Sequence, residues 1–344
     1  MERLVAAFQE AHASDPRQEV LELSASAPDG SLRLEGRATD GALVDTLFAE
    51  LRAALKPATV EDHVVRLPDP ALGELTDALV RAGVAPVYAA ARLPAAQITQ
   101  LVLGMRVDLL ERRERWLRVR SEDGYVGWVH QGYLRLATAP EAMAWEEARE
   151  GEPVVSLGAE LLDPEERPLI RLPWGARLLR AGGVYLLPDG ASGALGSGEM
   201  VDVDRLADRF PPRGESATRT ARRWLGAPYL WGGVTPAGVD CSGFVQAVYW
   251  MHGVALPRDA DLQAALGAPV DPGGDFAELR PGDLLFFAED EARVTHVTLC
   301  LEGALTLHAS LTNGCVAIDD LTSSSPAARL LRPRFTGARR LLPD

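Results

Sequence analysis

Charged residues interrupt apolar ones at helical spacing along Met1-Glu-Arg-Leu-Val-Ala-Ala-Phe-Gln-Glu10, which predicts an amphipathic helix and not a signal peptide. Alternation in Glu19-Val-Leu-Glu-Leu-Ser24 and in Ser31-Leu-Arg-Leu-Glu-Gly36 then predicts two strands, with Pro28-Asp29-Gly30 supplying hairpin turn chemistry between them. Leu43, Leu47, Leu51, Ala54 and Leu55 fall on one helical stripe, and a further strand is expected around Val64-Val-Arg-Leu67. Residues 1–82 therefore read as a small α+β domain, closed by the prolines of Leu67-Pro-Asp-Pro70.

From residue 83 to 138 the pattern becomes all-β. Gly104-Met-Arg-Val-Asp-Leu-Leu110, Trp116-Leu-Arg-Val-Arg120 and Tyr125-Val-Gly-Trp-Val129 are short alternating strands parted by tight turns such as Asp123-Gly124, as in a small barrel. A divergent second copy is expected over 139–208, where Gly175-Ala-Arg-Leu178, Tyr185-Leu-Leu187 and Asp189-Gly190 repeat the order without the tryptophan strand. The proline-bearing stretch Phe210-Pro-Pro-Arg-Gly-Glu215 leads into a final domain over 209–344.

Composition narrows the function. With 344 residues, 47% hydrophobic and 24% charged, the chain is globular and long enough for two to four domains. The net charge of −14 speaks against nucleic acid and against anionic membranes or wall polymers, and no apolar run is long enough to span a bilayer. Three cysteines at irregular spacing make no disulfide framework, which suits a reducing, cytoplasmic compartment. No Cys/His cluster has zinc spacing, so neither metal nor cofactor is expected.

Chemistry concentrates between residues 216 and 335. A helix from near Ser216, carrying Trp224 and Leu225, is expected to stop at Gly226. The rigid loop Pro228-Tyr-Leu-Trp-Gly-Gly233 then delivers the chain to Val239-Asp-Cys-Ser-Gly-Phe244. Val245, Val248, Tyr249 and Met251 keep helical spacing up to Gly253, which puts Cys241 at a helix N-terminus. That position favours a thiolate, and the small Ser242 and Gly243 leave room for a carbonyl beside backbone N–H groups. His252, just before Gly253, reads as a cationic partner of the helix dipole. Thr295-His-Val-Thr-Leu-Cys-Leu301 and Ala304-Leu-Thr-Leu-His-Ala-Ser310 are two strands around Glu302-Gly303. Paired as a hairpin, they bring His296 and His308 to one face, where one ring takes the thiol proton and the other orients it. Read alone, His308 also fits a buried strand histidine with a satisfied ring. Cys300 and Cys315 lack the context of Cys241 and read as structural.

Asp240-Cys-Ser-Gly-Phe244, Arg280-Pro-Gly-Asp-Leu284, His296-Val297 and Leu307-His-Ala-Ser310 together resemble the NlpC-type (NlpC/p60) family of cell-wall peptide cysteine peptidases. Gly-x-x-Val, Trp-x-x-Val and Gly-Tyr-x-Gly-Trp-Val strands upstream resemble a bacterial SH3-like domain. The resemblance implies a multidomain α+β chain: a papain-like catalytic domain preceded by one or two SH3-like barrels and the N-terminal α+β domain. It implies Cys241 as nucleophile, His296 as base and His308 as third residue.

SH3-bearing members of the family act as γ-D-glutamyl-L-diamino-acid endopeptidases on murein peptides with a free N-terminal L-alanine. On that likeness Tyr125, Tyr229, Trp231, Asp240, Ser242 and Asp259 would surround the substrate, with Asp240 supplying charge to the ammonium group and Tyr125 a hydroxyl. Two positions depart from the subgroup: Ala260 stands where a serine is common, and Ala95-Ala-Gln-Ile-Thr-Gln100 offers no acidic residue for the amine. Other readings are an exported hydrolase of intact peptidoglycan, a non-catalytic binding module and a thiol-dependent acyltransferase or amidase. Nothing in the sequence specifies an oligomeric state or the diamino acid.

Overall fold

A computed structural model describes residues 2–12, 15–27, 31–55, 59–289 and 293–343. The chain forms two compact units, one of residues 1–79, 89–95 and 106–143, the other of residues 80–88, 96–105 and 144–344.

In the first unit the helix Glu2–His12 and the helix Gly41–Leu55 flank a three-stranded sheet. Leu21–Ser26 pairs antiparallel with Leu32–Ala38, which pairs parallel with Val60–Arg66. The helical stripes bury Val5, Phe8, Val44, Leu47 and Leu51 against Leu32 and Leu34, the outcome expected of amphipathic helices on a one-sided sheet. Pro28-Asp29-Gly30, the expected turn, lies outside the described residues. Arg106–Arg113, Trp116–Arg120 and Val126–His130 follow as an antiparallel meander in the order the alternation predicts.

The second unit holds three pieces. One is the hairpin of Val84–Tyr88 and Gln97–Val102. Another is a closed four-stranded barrel of Glu152–Leu162, Pro168–Ala181, Val184–Leu186 and Ser192–Asp202, where the divergent repeat is expected. The third is the C-terminal domain. Its six-stranded sheet runs in the order Ala268–Val270, Phe335–Arg340, Leu284–Ala288, Val294–Glu302, Leu305–Ser310, Cys315–Asp320. The helix Cys241–Met251 buries Phe244, Val245 and Val248 in one core with Phe286, Val297, Leu299 and Leu307. The barrel shares that core, because Trp174 packs edge-on against Trp224 at 5.7 Å and Phe210 at 6.3 Å.

The helix before the nucleophile differs from expectation. It spans Gly214–Arg222, and tight turns then carry the buried Trp224 to Gly226, whose φ is +81°. Its first residue must be glycine, because Gly214 lies directly against the Pro281 carbonyl, where a Cβ would fall 1.8 Å from the oxygen.

Candidate active site

The loop before Cys241 is built from its own backbone. Leu230 N–H donates to Val239 O, Val239 N–H to Pro228 O, and Asp240 N–H to Gly233 O. Asp240 is extended (φ −97°, ψ 179°) and caps the helix by accepting from Gly243 N–H at 2.8 Å. Gly243 is needed for close approach, since a Cβ there would sit 2.2 Å from the Gly233 oxygen. Cys241 thus opens the helix with its side chain buried. Burial pushes its thiol up to about 12 and the Asp240 charge adds to this, while the Val297 backbone, Arg258 and the Ser242 backbone pull the other way.

The sheet brings the imidazoles in by two diagonal steps. Leu299 lies opposite Leu307, so His296 and His308 share one face as diagonal neighbours. Their rings stand at 79° with centroids 5.0 Å apart, and His296 Nε2 lies 2.8 Å from His308 Nδ1. His308 lies opposite Ala317, which makes Asp319 its diagonal neighbour on the edge strand. There His308 Nε2 meets Asp319 Oδ2 at 3.1 Å. Asn313 Nδ2 donates to the same oxygen at 2.7 Å and Ser325 Oγ to Oδ1 at 3.2 Å. The His308 hydrogen bond holds the Asp319 carboxyl below its usual range. Desolvation, then the neighbouring His308, hold His296 well below its usual value, so the resting ring is neutral.

A second network backs the helix start. Arg258, 1% exposed, donates Nη1 to Asp240 Oδ1 at 3.0 Å and Nη2 to Oδ2 at 2.6 Å. Its Nη1 also reaches Ser242 Oγ at 2.9 Å, and its Nε donates to the buried Thr99 Oγ1 at 2.8 Å. Gly232 N–H supplies Asp240 Oδ2 with another donor at 2.8 Å. The hairpin strand that carries Thr99 makes further bonds here: Gln97 Nε2 to Trp231 O at 2.9 Å, and Val234 N–H to Gln100 Oε1 at 3.2 Å.

Residues 226–335 match the model of the NlpC/P60 family. The C-terminal domain is an NlpC/P60 domain. Residues 87–134 match the bacterial dipeptidyl-peptidase Sh3 domain, so an SH3-type domain precedes it and the chain is a peptidase. A γ-D-glutamyl-L-lysine dipeptidyl-peptidase of Bacillus cereus is 28% identical over 263 residues, 71% of this chain and 75% of that protein. One of the same name from Bacillus subtilis is 39% identical over 114 residues, 32% of this chain and only 36% of that protein. Dipeptidyl-peptidase 6 of Lysinibacillus sphaericus is 27% identical, across 74% of this chain and 94% of its own. In fold, the crystal structure of an NlpC/P60 family protein from Bacillus cereus aligns with a TM-score of 0.65 at 24% identity, covering 78% of this chain and all of that one.

Within the NlpC/P60 domain, His296 and His308 meet directly, and the Cys241 thiol meets the backbone of Val297, the residue after His296. Tyr229 is half-buried beside the thiol, and Trp231 stands out from the loop, 67% exposed. Ser242 is buried on Arg258, and Asp259 is half-buried at the start of the helix Ala260–Ala264, which its side chain does not cap. Tyr125 belongs to the first unit, whereas the geometry above is that of the second unit alone. Asp240 departs from expectation: its charge is matched internally by Arg258, and its oxygens already serve two backbone N–H groups. His252 also departs. It is buried, with Nδ1 2.8 Å from Pro211 O and Nε2 2.9 Å from Thr220 Oγ1, and desolvation favours the neutral ring over a dipole-pairing cation. Two residues escaped the sequence reading, Arg258 and Asp319. The first stands directly before Asp259, and the second sits near the end of the strand Cys315–Asp320. Among the described residues no group of three or more His, Cys, Asp or Glu side chains is arranged to hold a metal ion.

Proposed function

We propose that the chain is a cysteine endopeptidase that hydrolyses the γ-D-glutamyl-L-diamino-acid bond of murein peptides bearing a free N-terminal L-alanine. The observation that carries the reading is the line His296–His308–Asp319, which starts on the strand whose Val297 backbone meets the Cys241 thiol at the helix start. The thiol proton passes to His296 as sulfur attacks the peptide carbonyl, and first-turn backbone N–H groups receive the oxyanion. The proton then moves from His296 to the departing amine, leaving a thioester. Water, deprotonated by His296, hydrolyses the thioester and returns the thiol. Burial raises the cost of either charge alone, and the thiolate and imidazolium formed side by side compensate each other.

The bond class comes from the names of the Bacillus relatives and the SH3-type domain upstream. With Asp240 matched by Arg258, Asp259 is our candidate for the carboxylate facing the substrate ammonium group. The same reading takes the substrate to be a free peptide in the cytoplasm, in keeping with the acidic chain; no helix among the described residues is long and apolar enough to cross a membrane. The test is incubation with L-Ala-γ-D-Glu-diaminopimelate and its N-acetylated form, with products read by mass spectrometry. Cleavage of the free-amine peptide alone, lost in Cys241→Ala, is expected. Equal cleavage of both peptides removes the amine requirement, and cleavage of neither overturns the reading.

A further inference from the structure

We propose that Asp319 is a positioning residue: acting through His308, it fixes the tautomer of His296 and so aims a ring lone pair at Cys241. The inference rests on the cysteine-peptidase reading above.

An ionised carboxylate only accepts, so the ring nitrogen facing Asp319, His308 Nε2, carries the hydrogen. In the form of His308 that carries a single N–H, that leaves Nδ1 as an acceptor. The nitrogen facing it, His296 Nε2, must then donate across their 2.8 Å contact. That in turn leaves His296 Nδ1 as the lone pair, the only ring position able to take the thiol proton. Without a fixed acceptor at 319 the sequence of donors can run backwards, and His296 then holds a hydrogen where a base is needed.

Asp319 is itself held for this task. Asn313 Nδ2 and Ser325 Oγ both donate to it, so neither oxygen is left to rotate freely, and its side chain is only 11% exposed. The carboxylate also places negative charge at the far end of the relay, where it favours positive charge on the histidine pair. The other groups facing the thiol are the matched Asp240 and Arg258 and the phenol of Tyr229, while the groups facing Asp319 are His308, Asn313 and Ser325. In serine proteases, where a carboxylate touches the base directly, replacing it by an amide lowers kcat about 10⁴-fold through the wrong tautomer. Here an imidazole intervenes, and a fall of about 10- to 100-fold is expected.

Full-length protein with ¹⁵N-labelled histidine tests this, together with the pH dependence of Cys241 alkylation by iodoacetamide. In the wild type the ring nitrogens of His308 should show hydrogen on Nε2 and a bare Nδ1. Asp319→Leu removes the acceptor: the tautomer signals should become mixed, the alkylation midpoint should move to higher pH, and kcat should fall with KM within about twofold. Asp319→Asn loses the charge and can present its amide N–H to His308, so the tautomer signals should again become mixed and the midpoint should rise. Asp319→Glu should restore both. Ser325→Ala, which cuts a support and a helix cap, should lower stability without moving the midpoint. Wild-type signals and midpoint in Asp319→Leu would overturn the proposal; should that variant not fold, an unmoved midpoint in Asp319→Asn does so. Both readouts need no peptide, so failure of the murein reading leaves them intact.

Discussion

Two buried polar networks meet at Cys241, and they are built on opposite principles. On the helix side, the Arg258–Asp240 ion pair is held in place by the hydroxyls of Thr99 and Ser242, which accept from the guanidinium. On the sheet side, His296 and His308 are rings that gain and lose protons, with one carboxylate at the far end. The first network is pinned by a permanently charged guanidinium, so it holds shape. The second is strung along a single direction, so it transmits. Rigidity and proton transfer are thereby assigned to different faces of one cysteine.

The contrast is broken most forcefully at the reacting groups. Cys241→Ala or His296→Ala should lower kcat by roughly 10⁴-fold or more while leaving the urea midpoint almost unchanged, as kinetics and denaturation on the same preparations would record. Arg258→Met should do the reverse. It strands a buried carboxylate, which costs about 3–5 kcal/mol, and the double variant Asp240→Asn/Arg258→Met should recover much of that loss. Equal destabilisation of single and double variants would mean the charges are not coupled. Thr99→Val is milder: it leaves the Arg258 Nε donor without its acceptor, at about 1–3 kcal/mol, read as a shift in the same urea curve.

The smallest effect is a pH dependence to which the sheet network contributes, alongside the buried His252. His296 is held below its usual 6.5 and Asp319 below its usual 3.8, so in both cases the unfolded chain binds more protons. Stability should therefore fall as pH drops from about 6.5, and fall again below about 4. Urea midpoints between pH 8 and 3 would resolve the two steps. Asp319→Asn should shrink the lower step, to which other lowered carboxyls such as Asp62 also contribute, and leave the upper one; a flat wild-type profile would contradict both shifts.

The sheet network was largely legible in the sequence, and the helix network was not. Alternation on either side of Glu302-Gly303 is a local pattern, and it suffices to put His296 and His308 on one face. Apolar spacing after Ser242 likewise fixes Cys241 at a helix start. Arg258 gives no such signal, because a guanidinium between proline and aspartate reads as solvated. Its burial depends on Asp240, 18 positions away, and on Thr99, 159 positions away. Asp319 and Asp320 look alike in sequence, and only the register sends the first to His308 while the second turns to Thr322. His252 was misread for a related reason: its position near a helix end is local, but the groups that bury it, Pro211 and Thr220, come from the preceding segment.

Thr99 has one more consequence, for how such a chain is inherited. The hairpin that carries it precedes the NlpC/P60 domain by more than a hundred residues, yet it completes the coordination of a guanidinium behind the nucleophile. A recombination event that moved the last third of the gene alone would transplant Arg258 without its acceptor. The stretch of this chain that keeps Arg258 satisfied is therefore longer than the family match, and it begins upstream, at the hairpin.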